Sequence, residues 1–186
     1  MNSDDGKVAG ALLFFGGLES IVFMIVAEAL YPGYSIAENY ISDLGVGSTA
    51  MIFNTSMVLL GAVVLIGAYF LHKTFRVMVL TIFLVLAGVG AAGVGVFPED
   101  MGVLHGISAL LVFLFGGLSA VVSYKVQNPP LSYFSVVLGA VTLVALVLFM
   151  TGTFVGLGPG GMERMIAYPP LLWGVAFGGY LMGSTK

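Results

Sequence analysis

Val77–Val96 reads VMVLTIFLVLAGVGAAGVGV, twenty consecutive residues without a charge. At about 1.5 Å per residue, a helix of that length covers the roughly 30 Å hydrocarbon core of a bilayer. Five more apolar runs lie to either side, so the predicted spans are 8–30, 51–71, 77–96, 103–124, 131–154 and 162–182. None shows the apolar–polar alternation of a membrane barrel strand. The expected fold class is all-α: a polytopic membrane helix bundle of six transmembrane helices in one domain, residues 1–186. Composition agrees. The chain is 59% hydrophobic and 8% charged, against about 25% charged in a soluble domain. So little charge also excludes a disordered chain.

With few charges, their placement carries most of the information. Lys and Arg concentrate in cytoplasmic loops. Lys7 precedes the first span, Lys73 and Arg76 separate the second and third, Lys125 separates the fourth and fifth, and Lys186 ends the chain. All five share one side of an alternating bundle, and only Arg164 falls on the other. Both termini are therefore expected in the cytoplasm, with the protein multi-pass in the cell membrane. The N-terminal segment is acidic and lacks the basic n-region of a signal peptide, so the first run is read as a retained helix. Glu38, Asp43, Glu99, Asp100 and Glu163 then gather at the outer face with His105 and Arg164, and Glu28 sits near the outer end of helix 1.

Several chemistries are excluded. The chain has no cysteine, which removes disulfides, thiol catalysis and Cys-ligated zinc. Its two histidines cannot supply a three-His zinc site. A net charge of -3 leaves no basic footprint for nucleic acid. Gly88-Val-Gly90-Ala-Ala-Gly93 matches a dinucleotide fingerprint only literally, because that motif needs a strand before it and a helix opening at it. Inside an apolar helix, Gly88, Ala92 and Gly95 share one face and are read as a close-packing stripe.

Glu19 lies near mid-bilayer in the first span, where an ionised carboxylate costs at least about 2.5 kcal/mol. It is either a proton- or cation-binding group or a neutral acid bonded to a neighbouring helix. Glu28, nine residues on, is half a turn away and belongs to a different face. Pro98 ends the third span, and Asp100 is expected to N-cap the fourth. The segment Tyr31–Ala50 is too polar to span and is read as a partly structured loop or short interfacial helix capping the bundle. Pro169-Pro170 should kink the sixth span and open a cavity beside Trp173.

Two stretches then stand out together: Asn39-Tyr40-Ile41-Ser42-Asp43-Leu44-Gly45 followed by Phe53, and Phe97-Pro98-Glu99-Asp100 followed by His105, Ala109 and Phe113. They resemble signatures of six-helix membrane proteins of the DRAM/Sfk and GPI-anchor lipid-remodelling type. With Glu163-Arg164 and Trp173 added, the chain is similar to a prokaryotic family of unknown function, the domain of unknown function 998. The DRAM-type group carries Pro-Glu after Ile-Ser-Asp-x-Gly, where this chain reads Val46-Gly47-Ser48-Thr49. The resemblance implies a six-helix fold with a polar site on the outer or lumenal face, and it singles out Ser42, Asp43, Pro98 and His105.

The first functional expectation is a membrane protein that binds or modifies a lipid or other amphiphile at the outer leaflet. His105 would serve as acid/base, Asp43 as a polar partner and Ser42 as nucleophile. Arg164, Glu163, Glu99, Asp100 and Glu28 would contact the ligand, with Arg164 on an anionic head group. A divalent metal on Asp43, Glu99, Asp100 and His105 is one option, since a hard cation takes oxygen ligands. The alternatives are a proton- or cation-coupled transporter using Glu19, and a non-catalytic structural or assembly factor. Membrane lipids are the expected partners, and a homo-oligomer is left open.

Overall fold

The computed structural model describes residues 3–184, so Lys186, counted in the orientation argument, lies outside it. Six helices carry the chain: α1 (Ser3–Leu30), α2 (Ala50–Phe75), α3 (Met78–Val96), α4 (Val103–Val122), α5 (Leu131–Met150) and α6 (Gly158–Gly183). All six are long and apolar enough to cross a membrane, and no strand occurs among the described residues. Each helix packs against its neighbours in sequence, and α6 returns to α1, so the helices form a closed ring. Cross-bundle contacts fix the alternation. Lys73 at the end of α2 pairs with Asp5 at the start of α1 at 3.1 Å, while Arg164 near the start of α6 pairs with Glu28 near the end of α1 at 2.6 Å. The α1–α2, α3–α4 and α5–α6 connections therefore share one end of the ring, called the distal end here, opposite the described chain ends.

Lipid tails are as apolar as leucine, so helices in a bilayer associate through close packing rather than hydrophobic expulsion. Glycines make that possible here. A Cβ on Gly61 of α2 would lie 2.5 Å from Ala92 N of α3, and one on Gly178 of α6 would lie 2.5 Å from Gly10 O of α1. The glycine-rich stretch of α3 serves two neighbours. Gly88 and Gly95 abut α2, whereas Gly90 and Gly93 abut α4. This is the packing role expected of Gly88, Ala92 and Gly95, extended to a second face.

One local expectation is overturned, and two others take definite form. Asp100 does not cap α4: the N-cap is Gly102, without a side-chain cap, and Asp100 is exposed in a short 3-10 turn, Glu99–Met101. Gly102 takes φ +57°, a backbone conformation that glycine adopts without a Cβ penalty. Pro169 and Pro170, which lack an amide donor, lie inside α6, and the helix range is Gly158 to Gly183. The segment between α1 and α2 forms two 3-10 turns, Ser42–Gly45 and Gly47–Thr49, rather than an interfacial helix. It caps the ring as expected, because Ile41 and Leu44 are buried in the distal core beside Met24, Phe53 and Met57.

Glu19 sits in the α1–α2 interface, 7% exposed. Ser56 of α2 donates to its Oε2 at 2.9 Å, and Ser20 to its Oε1 at 3.3 Å. In a glutamine one hydroxyl can donate to the amide oxygen and the other accept from the amide nitrogen. Glu19→Gln is therefore expected to change unfolding free energy by less than about 1 kcal/mol. Denaturant titration in mixed micelles checks this.

Candidate functional site

Arg164 organises the distal end. Its side chain leaves the first turns of α6 and is 6% exposed. One guanidinium nitrogen, Nη1, donates to the carbonyls of Ile36 (3.0 Å), Asn39 (3.4 Å) and Gly160 (2.8 Å). The other, Nη2, donates to Glu28 Oε1 (2.6 Å) and Tyr34 Oη (2.7 Å). Tyr34 in turn donates to the Tyr40 carbonyl at 2.8 Å. Burial pushes the Tyr34 phenol up to about 12, with Glu28 and Glu163 adding to the effect and Arg164 opposing it. A planar fork of donors is what such a multi-carbonyl clamp requires. Arg164 and Glu28 thus meet each other, and they hold the α1–α2 loop rather than line a cavity.

The clamped loop presents the other groups. Asp43 Oδ2 accepts from Asn39 Nδ2 at 2.8 Å and from the Tyr40 amide at 3.0 Å, which closes the turn before Ser42. Glu163, 6% exposed, accepts the Ile41 amide on Oε2 at 2.5 Å. No described residue donates to its Oε1. His105, 9% exposed, places Nδ1 at 2.9 Å from the Phe97 carbonyl. A carbonyl only accepts, so Nδ1 carries a proton. Glu99 stands beside Ser42, Asp43 and His105, and burial, reinforced by the Asp43 carboxylate, raises its pKa above the usual carboxylate range.

Two cavities meet at these residues. The first is an apolar shaft down the axis of the ring. Ser42, His105 and Glu163 form its distal mouth, and Leu84, Trp173 and Gly174 lie at its foot. On α6 the wall runs from Glu163 to Trp173, ten residues or about 15 Å at 1.5 Å per residue. The second is a side cleft lined by Leu110 and Phe113 of α4 and Leu146 and Phe149 of α5, and it reaches the same Ser42, His105 and Glu163. Glu99 lines the cleft. The cleft is the roomier, about 420 Å³, and the shaft is narrow, about 120 Å³.

The sequence-derived candidates thus divide. Ser42, Glu99, His105 and Glu163 converge on the cavities. Asp43 supports them from behind. Glu28 and Arg164 form the loop clamp, and Asp100 and Glu19 line neither cavity. Among the described residues, no group of three or more His, Asp or Glu side chains has a metal-binding arrangement. Sequence reasoning missed Tyr34, Asn39 and Gly160, whose roles depend on Arg164 crossing to a loop more than 120 residues away. The polar content of Tyr31–Ala50 was the one available signal.

Comparison with known families covers nearly the whole chain, residues 8–180. The protein belongs to the family described as protein of unknown function (DUF998). No curated protein and no solved structure matches it. Membership extends over all six helices, so the shaft and its mouth lie entirely within the family's span.

Proposed function

We propose that this protein binds a single-chain amphiphile in the membrane, with the tail in the axial shaft and the head at Ser42, Glu99, His105 and Glu163. The observation that carries this reading is the junction itself. A wall of apolar side chains about 15 Å long ends in a polar mouth, and the mouth communicates with a cleft between α4 and α5. That division of polarity matches an amphiphile and matches neither a water path nor an ion path. The cleft faces the lipid side of the ring, so a lipid reaches the mouth laterally without crossing water. The positive-inside count supports a mouth in the outer leaflet. The sequence likeness of the Ile41–Gly45 and Phe97–His105 stretches to lipid-remodelling proteins supports the same reading.

Extended C–C chains advance about 1.25 Å per carbon, given bonds of about 1.5 Å, so the wall is long enough for about twelve carbons. The shaft of about 120 Å³ has to widen as the chain enters, since a cavity of about 150 Å³ takes only a benzene-sized ligand. Two positions allow a clean block. A Cβ on Gly116 meets nothing nearer than Pro170 at 3.5 Å, and one on Gly174 nothing nearer than Leu13 O at 3.6 Å. Both residues line the shaft. Gly116→Leu and Gly174→Leu should therefore fold and fill it. Native mass spectrometry of protein in nanodiscs, free of alkyl detergent, is expected to show a retained single-chain adduct in the wild type and none in either variant. Equal retention by the folded variants would overturn the reading.

A further inference from the structure

The head-group chemistry can be taken further, on the basis of the amphiphile reading above. A tail in the shaft leaves one apolar surrounding for another, so it gains little over a tail in the bilayer. Selectivity must come from the mouth. The groups there are mostly acceptors. Glu163 has its Oε2 on the Ile41 amide and no described donor on Oε1, and it is 94% buried by its 6% exposure. His105 has its Nδ1 proton on the Phe97 carbonyl, which leaves Nε2 as its one ring nitrogen open to a ligand. Glu99 adds a second carboxyl group, and Asp43 stands behind it. Ser42 is the one hydroxyl lining both cavities, and it can donate or accept.

The nearest cation cannot reverse this balance. Arg164 is a helical neighbour of Glu163, but its two terminal nitrogens serve five oxygens of the loop clamp, and Glu28 neutralises its charge. It lines neither cavity. A phosphate or carboxylate head would meet the carboxyl groups of Glu99 and Glu163, with no Lys or Arg among the lining residues to pair with. A hydroxyl or ammonium head would offer hydrogens to those same groups.

We infer that the mouth selects a donor-bearing head group without negative charge: a single-chain alcohol, glycerol ester or long-chain amine, and not a fatty acid or phosphorylated lipid. The two neutral or cationic sources share their N–H or O–H donors and differ in charge. Charge-assisted bonds to a buried carboxylate are about twice as strong as neutral ones, so the amine depends on Glu163 more than the alcohol does.

The test uses the full-length protein in nanodiscs and three probes with the same dodecyl tail: dodecylamine, the monoglyceride of dodecanoic acid, and dodecanoate. Occupancy is read by native mass spectrometry and normalised to each probe's uptake by protein-free nanodiscs. The amine is expected to half-saturate at a mole fraction about tenfold or more below that of dodecanoate, the factor corresponding to one charge-assisted bond, and the monoglyceride at one about fivefold below, the factor corresponding to one neutral hydrogen bond. Glu163→Gln keeps an acceptor for the Ile41 amide and should fold. It is expected to weaken dodecylamine about tenfold or more and the monoglyceride by less, about threefold, because the amide keeps an acceptor and loses only the charge. Dodecanoate binding as tightly as the other two would overturn the head-group inference and leave the amphiphile reading intact. Failure of all three to occupy the protein would overturn both. Loss of all binding in Glu163→Gln, with the fold retained, would contradict the division between amine and alcohol.

Discussion

Replacing Arg164 by methionine is expected to destabilise the protein by about 3–5 kcal/mol, the cost of breaking a buried pair from one side. The side chains of Arg164 and Glu28 are 7% and 14% exposed, so solvent does little to screen the charge left behind. Three loop and helix carbonyls, of Ile36, Asn39 and Gly160, would also lose their donor. Arg164→Lys restores a charge but not the fork, so it should recover only part of the loss. The double variant with Glu28→Leu should be less damaged than Arg164→Met alone, because no carboxylate is then orphaned. Thermal unfolding in mixed micelles measures all three. Limited proteolysis should show cleavage between Tyr31 and Thr49 in Arg164→Met and protection in the wild type.

Gly160→Ala is expected to cost about 1–3 kcal/mol, although alanine is the better helix former by up to about 1 kcal/mol. The contact decides the sign. A Cβ at this position would fall within the radius of the Asn39 carbonyl oxygen and would lie 2.7 Å from the Ile36 oxygen. Both are backbone atoms and cannot rotate away. The loop would be pushed off α6, and the Gly160 amide would lose its 2.9 Å bond to Ala37 O. Gly179 is the control, since a Cβ there meets nothing within 4 Å. Gly179→Ala should be neutral or stabilising by up to about 1 kcal/mol. Because Gly160 and Arg164 hold the same loop, their effects should fall short of additive in a double-mutant cycle. Ser42 and Ile41 ride on that loop, so both variants should also impair the mouth.

These two residues show where sequence reading succeeds and stops. The six spans follow from apolar length alone, and the helices agree with them closely, because a bilayer demands an uninterrupted apolar run of set length. Polar residues of alternate loops also collect at one end of the ring, and Ser42, His105 and Glu163 line one cavity there. The shaft was legible only at its foot, where Pro169-Pro170 pointed to a cavity beside Trp173, and Pro170 and Trp173 both line it. A leucine facing lipid and a leucine facing a cavity are the same letter, and a ring whose wall is apolar on both sides carries no periodic signal. Arg164 was visible as an unusual outer cation, but its duty depends on a tertiary contact with Ile36 and Asn39. Asp100 resembled a cap because aspartate favours that position, whereas Gly102, with its positive φ, turns the chain into α4.

The central claim is that an alkyl chain enters the shaft, and the protein carries its own reporter for that event. Trp173 is the sole tryptophan in the sequence, lies at the foot of the shaft and is 3% exposed. Lipid-embedded quenchers outside the ring do not contact it. A dodecylamine brominated at its tail end should quench Trp173 fluorescence in nanodiscs saturably, and Gly116→Leu should abolish the quenching while the protein stays folded. Unchanged Trp173 emission in the wild type across the full probe range, or equal quenching in Gly116→Leu, would contradict the account.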